Sequence, residues 1–260
     1  MNTLIHNIAS LGWSVSVYNI INLVSWFIAL VFSVWHAKKI GVSFWKAIVV
    51  ALVANFGLLL LRNLTTIIAT AIRDAGFLNM QDVGNSIVRA FVFLPLLMIP
   101  LGYILRIKWS LLCDAIVFAP LLTSAFSQLA CVFTGCCRGF EADWGIYNIR
   151  TESYHVPVQV IETVLTLAIF FLLLYQLSNR NYKSDGMLYP AMMAFYGIMR
   201  FVCECLRDNE KIILGCSGVA IHALIMFVAG FAILFYNEKK TAKPIEEKSA
   251  SAEPPSVERS

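Results

Sequence analysis

The chain has 260 residues, of which 59% are hydrophobic and 14% charged, and its mean hydropathy is +0.73. Soluble domains carry roughly one quarter charged residues, so this composition excludes an ordinary soluble globular protein and indicates an integral membrane protein. The formal net charge of +4 is small. We expect affinity for membrane lipid and no nucleic-acid binding.

Seven apolar runs follow one another along the chain, each close to the about 20 residues that a helix needs to cross a hydrocarbon core. They cover residues 13–35, 44–61, 87–105, 109–133, 157–177, 187–206 and 212–236. Continuous apolarity favours helices, because the strands of a membrane barrel would be shorter and would alternate in polarity. The sequence therefore predicts an all-α integral membrane protein, a bundle of about seven transmembrane helices.

Lysines predict the orientation of this bundle. With seven spans, every lysine except Lys211 falls on one side of the membrane. Positively charged short loops stay in the cytoplasm, so we expect an external N-terminus and a cytoplasmic C-terminus. Residues 237–260 are rich in Lys, Glu, Ser and Pro, a composition typical of disorder. We predict a membrane domain over residues 1–236 and a disordered, charged cytoplasmic tail over residues 237–260.

The sixth run contains two opposite charges, Arg200 and Glu204, which share one helix face. An ionisable group inside a span costs at least about 2.5 kcal/mol on insertion scales, so it usually has a partner or a function. Tyr196 lies one turn before Arg200 on the same face, and Arg207 lies about two turns after it. One interpretation is a structural ion pair between helices, and the other is a functional site.

The fifth run opens with a second polar group, in the stretch "PVQVIE". Pro157 suits a first helical turn, where its missing N–H group has no intrahelical partner to lose. Gln159 and Glu162 follow, three residues apart on one helix face. Glu162 is then just inside the membrane, and we expect Arg200 or Arg62 to be its partner.

A third polar group follows the fourth run, where "TGCCRGFEADWG" begins an external loop. Gly135 allows close backbone approach, as a lipid headgroup site would need, although it also suits the end of a helix. Arg138 adds a guanidinium group, whose planar fork fits phosphate oxygens. Arginines, carboxylates and amides that converge near the outer leaflet indicate a pocket for a phosphate ester.

The seven cysteines lie mostly in or next to apolar runs. Free cysteine in such places behaves as a small apolar residue, which is the default interpretation. The adjacent Cys136 and Cys137 leave metal binding or redox chemistry open, but no CxxC repeat or histidine at ligand spacing supports it. We expect no metal and no cofactor.

Several motifs resemble those of the bacterial prolipoprotein diacylglyceryl transferase family. "YGIMRFVCECLR" is similar to the family's Tyr-Gly-x-x-Arg-Phe-x-x-Glu-x-x-Arg signature, and "PVQVIE" resembles its Pro-x-Gln-x-Tyr-Glu element. "CVFTGCCRG" resembles a Cys-x-x-x-Gly-Cys-Cys-x-Gly variant of the central signature, and Arg62 is similar to an early Gly-x-Arg position. The matching positions are Tyr196, Gly197, Arg200, Phe201, Glu204 and Arg207, then Pro157, Gln159 and Glu162, then Cys131, Gly135, Cys136, Cys137 and Gly139.

The resemblance implies an enzyme of lipoprotein biosynthesis in the bacterial plasma membrane. Such proteins transfer the diacylglyceryl group of phosphatidylglycerol to a lipobox cysteine thiol of a secreted precursor protein and release glycerol phosphate. By implication Arg200 neutralises the leaving phosphate, while Tyr196 and Glu204 orient Arg200. The residues expected to bind the lipid are Gln128, Arg62, Gln159, Glu162, Arg138 and Gly135.

Two departures from the family pattern leave other functions open. The central signature normally opens with Gly-Arg, whose arginine binds phosphatidylglycerol, and here Ser127 and Gln128 take those places. The family's His-Gly-Gly element should start near Val88, where "SIVRAF" contains no histidine, so His155 is the remaining candidate base. The alternative is a diverged, non-catalytic lipid-binding membrane protein of the same fold, or a transporter whose buried charges line a solute path.

Overall fold

The protein is a helical bundle with a small β-hairpin at one end. The computed structural model describes residues 13–74, 87–148, 151–178, 186–208 and 217–250. Its helices are α1 (Trp13–Lys39), α2 (Phe44–Asp74), α3 (Ile87–Leu105), α4 (Trp109–Ala115), α5 (Phe118–Thr134), α6 (Val158–Ser178), α7 (Leu188–Cys205) and α8 (Gly218–Ala250). The strands β1 (Glu141–Asn148) and β2 (Ser153–His155) lie between α5 and α6.

Six helical stretches in the described part of the chain are long and apolar enough to cross a membrane. They are Val17–Lys39, Phe44–Ile72, Ile87–Leu105, Trp109–Thr134, Val158–Leu177 and Gly218–Lys239. The prediction of an all-α, multi-pass membrane protein is therefore confirmed. Helix α7 does not belong to this set, because Arg200 and Glu204 interrupt its apolar run.

Contacts between chain segments define one end of the bundle. The Lys46 ammonium donates to the carbonyl oxygen of Leu105 at 2.8 Å. The Asp114 carboxylate accepts from the backbone N–H of Gly186, whose carbonyl oxygen accepts from the Asn237 amide at 3.0 Å. We call this the lysine end, because Lys38, Lys39 and Lys108 lie at the same helix termini.

Helix α7 runs from the lysine end to the opposite end of the bundle. It starts beside Gly186, and after its last turn the Leu206 carbonyl oxygen accepts from the backbone N–H of Phe140 at 3.2 Å. We call this opposite end, which includes the hairpin and residues 206–208, the site end. The seventh expected pass is thus present as a helix that spans the bundle, surrounded by more apolar helices.

Two glycines let α7 and α8 pack with their backbones close together. A Cβ atom on Gly197 would lie 2.6 Å from the backbone nitrogen of Phe227, and one on Gly230 would lie 2.6 Å from that of Ala194. Small residues allow this close approach between membrane helices. The charged residues of α7 are therefore held at a fixed position against α8.

The loop after α5 contains two strands, which the all-α prediction did not include. β1 and β2 are antiparallel, with Tyr147 opposite Tyr154, and the two rings make an edge-to-face contact at 5.4 Å. Gly139 also forms an isolated antiparallel bridge with Arg207. This bridge ties the loop to the end of α7. The strand pairing is short and irregular in register, so the sequence carries little alternation to reveal it.

The boundary expected at residue 237 does not coincide with the end of a helix, since α8 continues to Ala250. The disorder of the tail and the orientation of the bundle across the membrane stay predictions. Lys183, Lys211, Cys216 and residues 251–260 lie outside the described residues.

Candidate functional site

Four buried charges meet at the site end, and we call them the four-charge network: Glu162 on α6, Arg200 and Glu204 on α7, and Arg207 just after it. Glu162 bridges the two guanidinium groups, through Oε1 to Nη1 of Arg200 and through Oε2 to Nη2 of Arg207 at 2.5 Å. Glu204 Oε2 lies 3.3 Å from Arg200 Nη2 and 3.4 Å from Arg207 Nε. The expected pairing of Glu162 with Arg200 is present in the structure.

The four-charge network is almost sealed from its surroundings and electrically balanced. The exposed fractions of the Arg200, Arg207, Glu162 and Glu204 side chains are 8%, 3%, 0% and 1%. Two guanidinium groups face two carboxylates, so the formal charge of the network is zero. Removing one partner of a buried ion pair costs about 3–5 kcal/mol, because the other charge stays buried. The balance therefore explains how these charges persist within the bundle.

Gln128 on α5 completes the network as a neutral member. Its Nε2 donates to Glu162 Oε1 at 3.0 Å, and its Oε1 accepts from Arg207 Nη2 at 3.4 Å. An amide can donate and accept at the same time, so it fits between a carboxylate and a guanidinium. A third cation at this position would disturb the charge balance unless an anion were bound.

Tyr196 takes a different partner from the one expected. Its hydroxyl lies 2.7 Å from the Ser124 hydroxyl, and its ring packs against Phe91 with a centroid distance of 5.0 Å. The role expected for Tyr196, which was to orient Arg200, is therefore not carried by this hydrogen bond. The partners that orient Arg200 are the two carboxylates.

Arg207 is not among the site residues predicted from the sequence, but the structure places it at the centre of the network. Arg207 is far along the chain from Gln128 and Glu162, so no local sequence pattern indicates its contacts with them. Ser217 was also missed, and its hydroxyl donates to Glu204 Oε1 at 3.0 Å. This bond connects the four-charge network to the start of α8. Arg207 is the last residue of "RFVCECLR" and matches the final arginine of the family signature, which is the signal that points to it.

Arg62 lies in a separate polar cavity of about 170 Å³ rather than beside Glu162. The Arg62 Nε atom is buried and makes no hydrogen bond to the described residues. Side chains from α1, α2 and α5 line the cavity, and they include Tyr18, Asn22, Asn55, Thr123 and Ser127. The expectation that Arg62 could serve as the partner of Glu162 is thus wrong, while its lipid-binding role stays a prediction.

The other expected lipid-binding residues hold the loop after α5 in place. Gln159 Nε2 donates to the Cys136 carbonyl oxygen at 2.6 Å, and Arg138 faces Asp208 at 3.7 Å with a partly exposed side chain. Gly135 ends α5 in the left-handed conformation, with φ of 66°. None of these three makes a described bond to the four charges. Their direct contact with lipid stays a prediction.

His155 is bonded through both ring nitrogens. Nδ1 lies 2.8 Å from the Gly139 carbonyl oxygen and therefore carries the proton, since a carbonyl only accepts. Nε2 then accepts from the Thr151 hydroxyl at 2.8 Å, while the Ser153 hydroxyl, 2.9 Å from Nε2, donates its proton to Glu141 Oε1 at 3.0 Å. This pattern fixes the hairpin to the loop and favours a structural role over that of a base.

A groove of about 690 Å³ opens between α2 and α3 at the side of the bundle. Most of its lining is apolar, and it includes Leu64, Ile68, Phe93, Leu96 and Pro100. Two basic side chains, Arg89 and His222, lie at its site end, where α3 and α8 begin. The groove has the composition that suits an acyl chain whose headgroup points to the site end.

Three cysteines form a compact group beside the network, which we call the thiol cluster: Cys131, Cys136 and Cys137. All three Sγ atoms lie within 4.8 Å of one another. The neighbouring Cys131 and Cys136 thiols, together with the nearby Arg207 guanidinium, hold the pKa of Cys137 below its ordinary value. Sequence reasoning considered only the adjacent pair, because Cys131 lies on the last turn of α5 and the contact depends on how the loop folds back.

Comparison with known proteins gives a consistent family. The sequence profile described as prolipoprotein diacylglyceryl transferase matches residues 6–236. The chain is 28% identical over 145 residues to phosphatidylglycerol–prolipoprotein diacylglyceryl transferase 2 of Clostridium perfringens. The matched region covers 52% of this chain and 56% of that relative. It is 32% identical to each of two proteins named phosphatidylglycerol–prolipoprotein diacylglyceryl transferase, from Campylobacter curvus and Campylobacter lari. The first match covers 41% of this chain and 40% of the relative, and the second covers 38% of this chain and 37% of the relative.

The chain spans about half, or less, of the length of the curated relatives it matches. The profile, in contrast, covers most of the chain, including α1 to α7 and the apolar part of α8. It also contains all members of the four-charge network. This chain belongs to the prolipoprotein diacylglyceryl transferase family.

Proposed function

We propose that this protein transfers the diacylglyceryl group of phosphatidylglycerol to a lipobox cysteine thiol of a prolipoprotein, at the outer face of a bacterial plasma membrane. One observation carries the proposal: the buried guanidinium groups of Arg200 and Arg207 are held together by Glu162 at one end of a membrane bundle. Paired guanidinium groups at membrane depth suit the phosphate of a lipid.

Arg200 has a donor to offer to such a phosphate. Its Nε atom is buried and makes no hydrogen bond to the described residues. In a site that excludes water, donors of this kind stabilise negative charge strongly, and they require little rearrangement as the charge develops. Glu162 and Glu204 position the two guanidinium groups until the anionic lipid arrives.

The proposed reaction forms one bond and breaks one bond. The acceptor sulfur attacks the glyceryl carbon that is joined to the phosphate, and a carbon–sulfur bond forms while the carbon–oxygen bond breaks. The electron pair of the broken bond leaves with the phosphate oxygen, and the thiol proton is balanced by the proton taken up by the released glycerol phosphate. Arg200 and Arg207 neutralise the leaving group.

The apolar groove between α2 and α3 supports the use of a lipid substrate. Acyl chains can lie along Leu64, Ile68 and Phe93, and the headgroup would then lie near Arg89 and His222, which line the groove at its site end. This arrangement keeps the lipid tails in the bilayer and brings the ester to the site end.

A non-catalytic lipid-binding protein is the second candidate, and the closure of the four-charge network favours it. Both guanidinium groups are already paired with carboxylates, and the neutral Gln128 occupies the place of an arginine ligand. Such a protein would bind phosphatidylglycerol without turning it over.

The test uses the purified chain in micelles that contain phosphatidylglycerol, together with a lipobox peptide. We expect a thioether product by mass spectrometry. A relative that has the full set of family motifs is the positive control. If the relative forms product and this chain does not, the proposed transferase activity is contradicted. Lipid binding without product would favour the second candidate, and solute flux through liposomes without lipid turnover would indicate a transporter.

A further inference from the structure

The thiol cluster places three metal-ligating atoms at one point, outside the residues used for the proposed reaction. Cys131 comes from the last turn of α5, and Cys136 and Cys137 come from the loop that follows. We propose that their thiolates bind one Zn²⁺ ion, and that the fourth position of this ion takes the acceptor thiol. The second half of this inference rests on the proposed function.

The spacing of the three sulfur atoms fits a zinc site. A Zn–S bond of about 2.3 Å places tetrahedral ligands about 3.8 Å apart. The Sγ atoms lie within 4.8 Å of one another, so an inward movement of about 1 Å or less completes the geometry. Catalytic zinc keeps one position for water or substrate, and three cysteine ligands leave the fourth tetrahedral position open.

The backbone is folded to bring these thiols together. Gly135 and Cys137 both adopt the left-handed conformation, with φ of 66° and 59°. For a residue with a side chain this conformation is strained, and such strain is concentrated at functional sites. The turn directs the Cys136 and Cys137 side chains back towards Cys131 on α5.

Hydrogen bonds from outside the thiol cluster hold this turn. The Gln159 amide donates to the Cys136 carbonyl oxygen at 2.6 Å, and the Asn148 amide donates to that of Gly135 at 2.9 Å. The Thr134 hydroxyl lies 3.0 Å from Cys136 Sγ, where it can donate to a thiolate. Supporting bonds of this kind orient metal ligands before the metal binds.

Electrostatics also suit a metal at this place. One Zn²⁺ ion and three thiolates carry a net charge of −1, and the Arg207 guanidinium lies beside Cys137. This guanidinium also pairs with Glu162 and Glu204, so the four-charge network and the metal site would share it. The same guanidinium belongs to the four-charge network, so a thiol on the metal would lie close to a lipid phosphate held by Arg207.

The metal would supply a means of deprotonating the acceptor thiol. The resemblance assigns this role to a histidine near Val88, and no histidine stands there in "SIVRAF". A thiol that coordinates zinc loses its proton, which here goes to solvent. The resulting thiolate attacks the glyceryl carbon, the carbon–oxygen bond breaks, and the leaving phosphate takes the electron pair and then a proton from solvent. Zinc changes no oxidation state, so the step needs no oxidant or reductant.

Zinc binding is measured first, independently of any reaction. The full chain in detergent is reduced with a phosphine, loaded with Zn²⁺, passed over a gel-filtration column and analysed for zinc by mass spectrometry. We expect one zinc ion per native chain and per Cys205→Ser chain, and background levels for Cys131→Ser, Cys136→Ser and Cys137→Ser. Cys205 is the matched control, because it is exposed on α7 and lies outside the thiol cluster.

A second measurement on the native chain does not depend on folding of the variants. Bound Zn²⁺ should slow the alkylation of the three cluster cysteines and leave that of Cys205 unchanged, and Co²⁺ should give a thiolate charge-transfer absorption. The proposal is overturned if the native chain retains no more zinc than Cys137→Ser, if copper alone is retained, or if a disulfide joins two of the three cysteines in protein isolated without reductant.

Thioether formation then separates this inference from the proposed function. We expect product formation by Cys137→Ser to fall to the rate of the metal-free chain, while Cys205→Ser remains active. Product formed equally well without zinc would overturn the inference and leave the proposed function standing. Zinc bound in the absence of any product, beside an active relative, would contradict the proposed function and support the metal site alone.

Discussion

Both ends of the bundle bury ionised groups, but they satisfy them in different ways. At the lysine end, the Asp114 carboxylate accepts from the backbone N–H groups of Gly186 and Tyr189, at 2.5 and 3.0 Å, and so caps the start of α7. At the site end, the four charges pair with one another, and the neutral side chains of Gln128 and Ser217 add hydrogen bonds. Backbone donors cannot leave without unwinding a helix, whereas side chains can exchange a carboxylate for an incoming anion.

This difference teaches that burial of a charge alone does not identify a functional site. Asp114 is as deeply buried as Glu162, since both have no exposed surface. The difference lies in their partners. Glu162 pairs with two guanidinium groups, whereas Asp114 accepts from the backbone at the start of a helix. The following variants test whether one end serves structure and the other serves chemistry.

The largest effect is expected from Arg200→Ala, which removes a guanidinium from the four-charge network. Transfer should fall by about 100- to 1000-fold, as for other groups that stabilise charge in the transition state. Thioether formation is measured by mass spectrometry, with gel filtration to check folding. Lys239→Ala, on the exposed surface at the lysine end, is the control. Normal lipid turnover by Arg200→Ala would mean that the arginine is only architectural.

Asp114→Asn should act on stability and not on transfer. The Asn amide would present a donor where the carboxylate accepts two N–H groups, so the free energy of unfolding should fall by about 1–3 kcal/mol. Thermal unfolding in detergent measures this loss, and the transfer rate per folded molecule should match that of the native chain. A large rate defect at normal stability would show that the lysine end takes part in catalysis.

Gln128→Arg should sharpen the comparison by giving the site end a net positive charge. The added guanidinium can bind a phosphate, and we expect phosphatidylglycerol to bind about tenfold tighter, equivalent to about 1.4 kcal/mol. Lipid titration measures the Kd, and Gln128→Lys, which adds charge without a planar fork, is the matched control. Weaker lipid binding by the arginine variant would mean that the neutral amide is required.

The smallest effect on activity is expected from His155→Gln. A general base at this position would shape the pH dependence of transfer. We expect the pH profile to stay unchanged and the free energy of unfolding to fall by about 1 kcal/mol through lost hydrogen bonds. A profile that loses its rise with pH would identify His155 as the base after all.

The features that could be predicted from sequence are those encoded over short distances. Apolar runs of membrane length gave the helices, and the spacing of Arg200 and Glu204 gave an ion pair on one face of α7. The sequence also limited the partner of Glu162 to Arg200 or Arg62, because few groups could compensate a carboxylate inside the bundle, and the structure shows Arg200. These conclusions depend only on helix geometry and on the cost of burying charge.

The features that could not be predicted depend on how distant segments meet. The contact between Gln128 and Arg207 joins positions far apart in the chain, and the place of Arg62 in its own cavity depends on how α1, α2 and α5 pack. The thiol cluster depends on a left-handed turn at Cys137, a residue type that seldom adopts this conformation. No periodic pattern encodes such contacts.

The composition of α7 also has a consequence for the assembly of this protein in the membrane. A helix that carries Arg200 and Glu204 partitions poorly into lipid by itself. Glu162 on the preceding helix compensates the charge of Arg200, and the glycine-lined contact with α8 gives α7 a surface to pack against. We therefore expect the insertion machinery to release α7 only together with its neighbours, so that truncation before α8 leaves the nascent chain one crossing short.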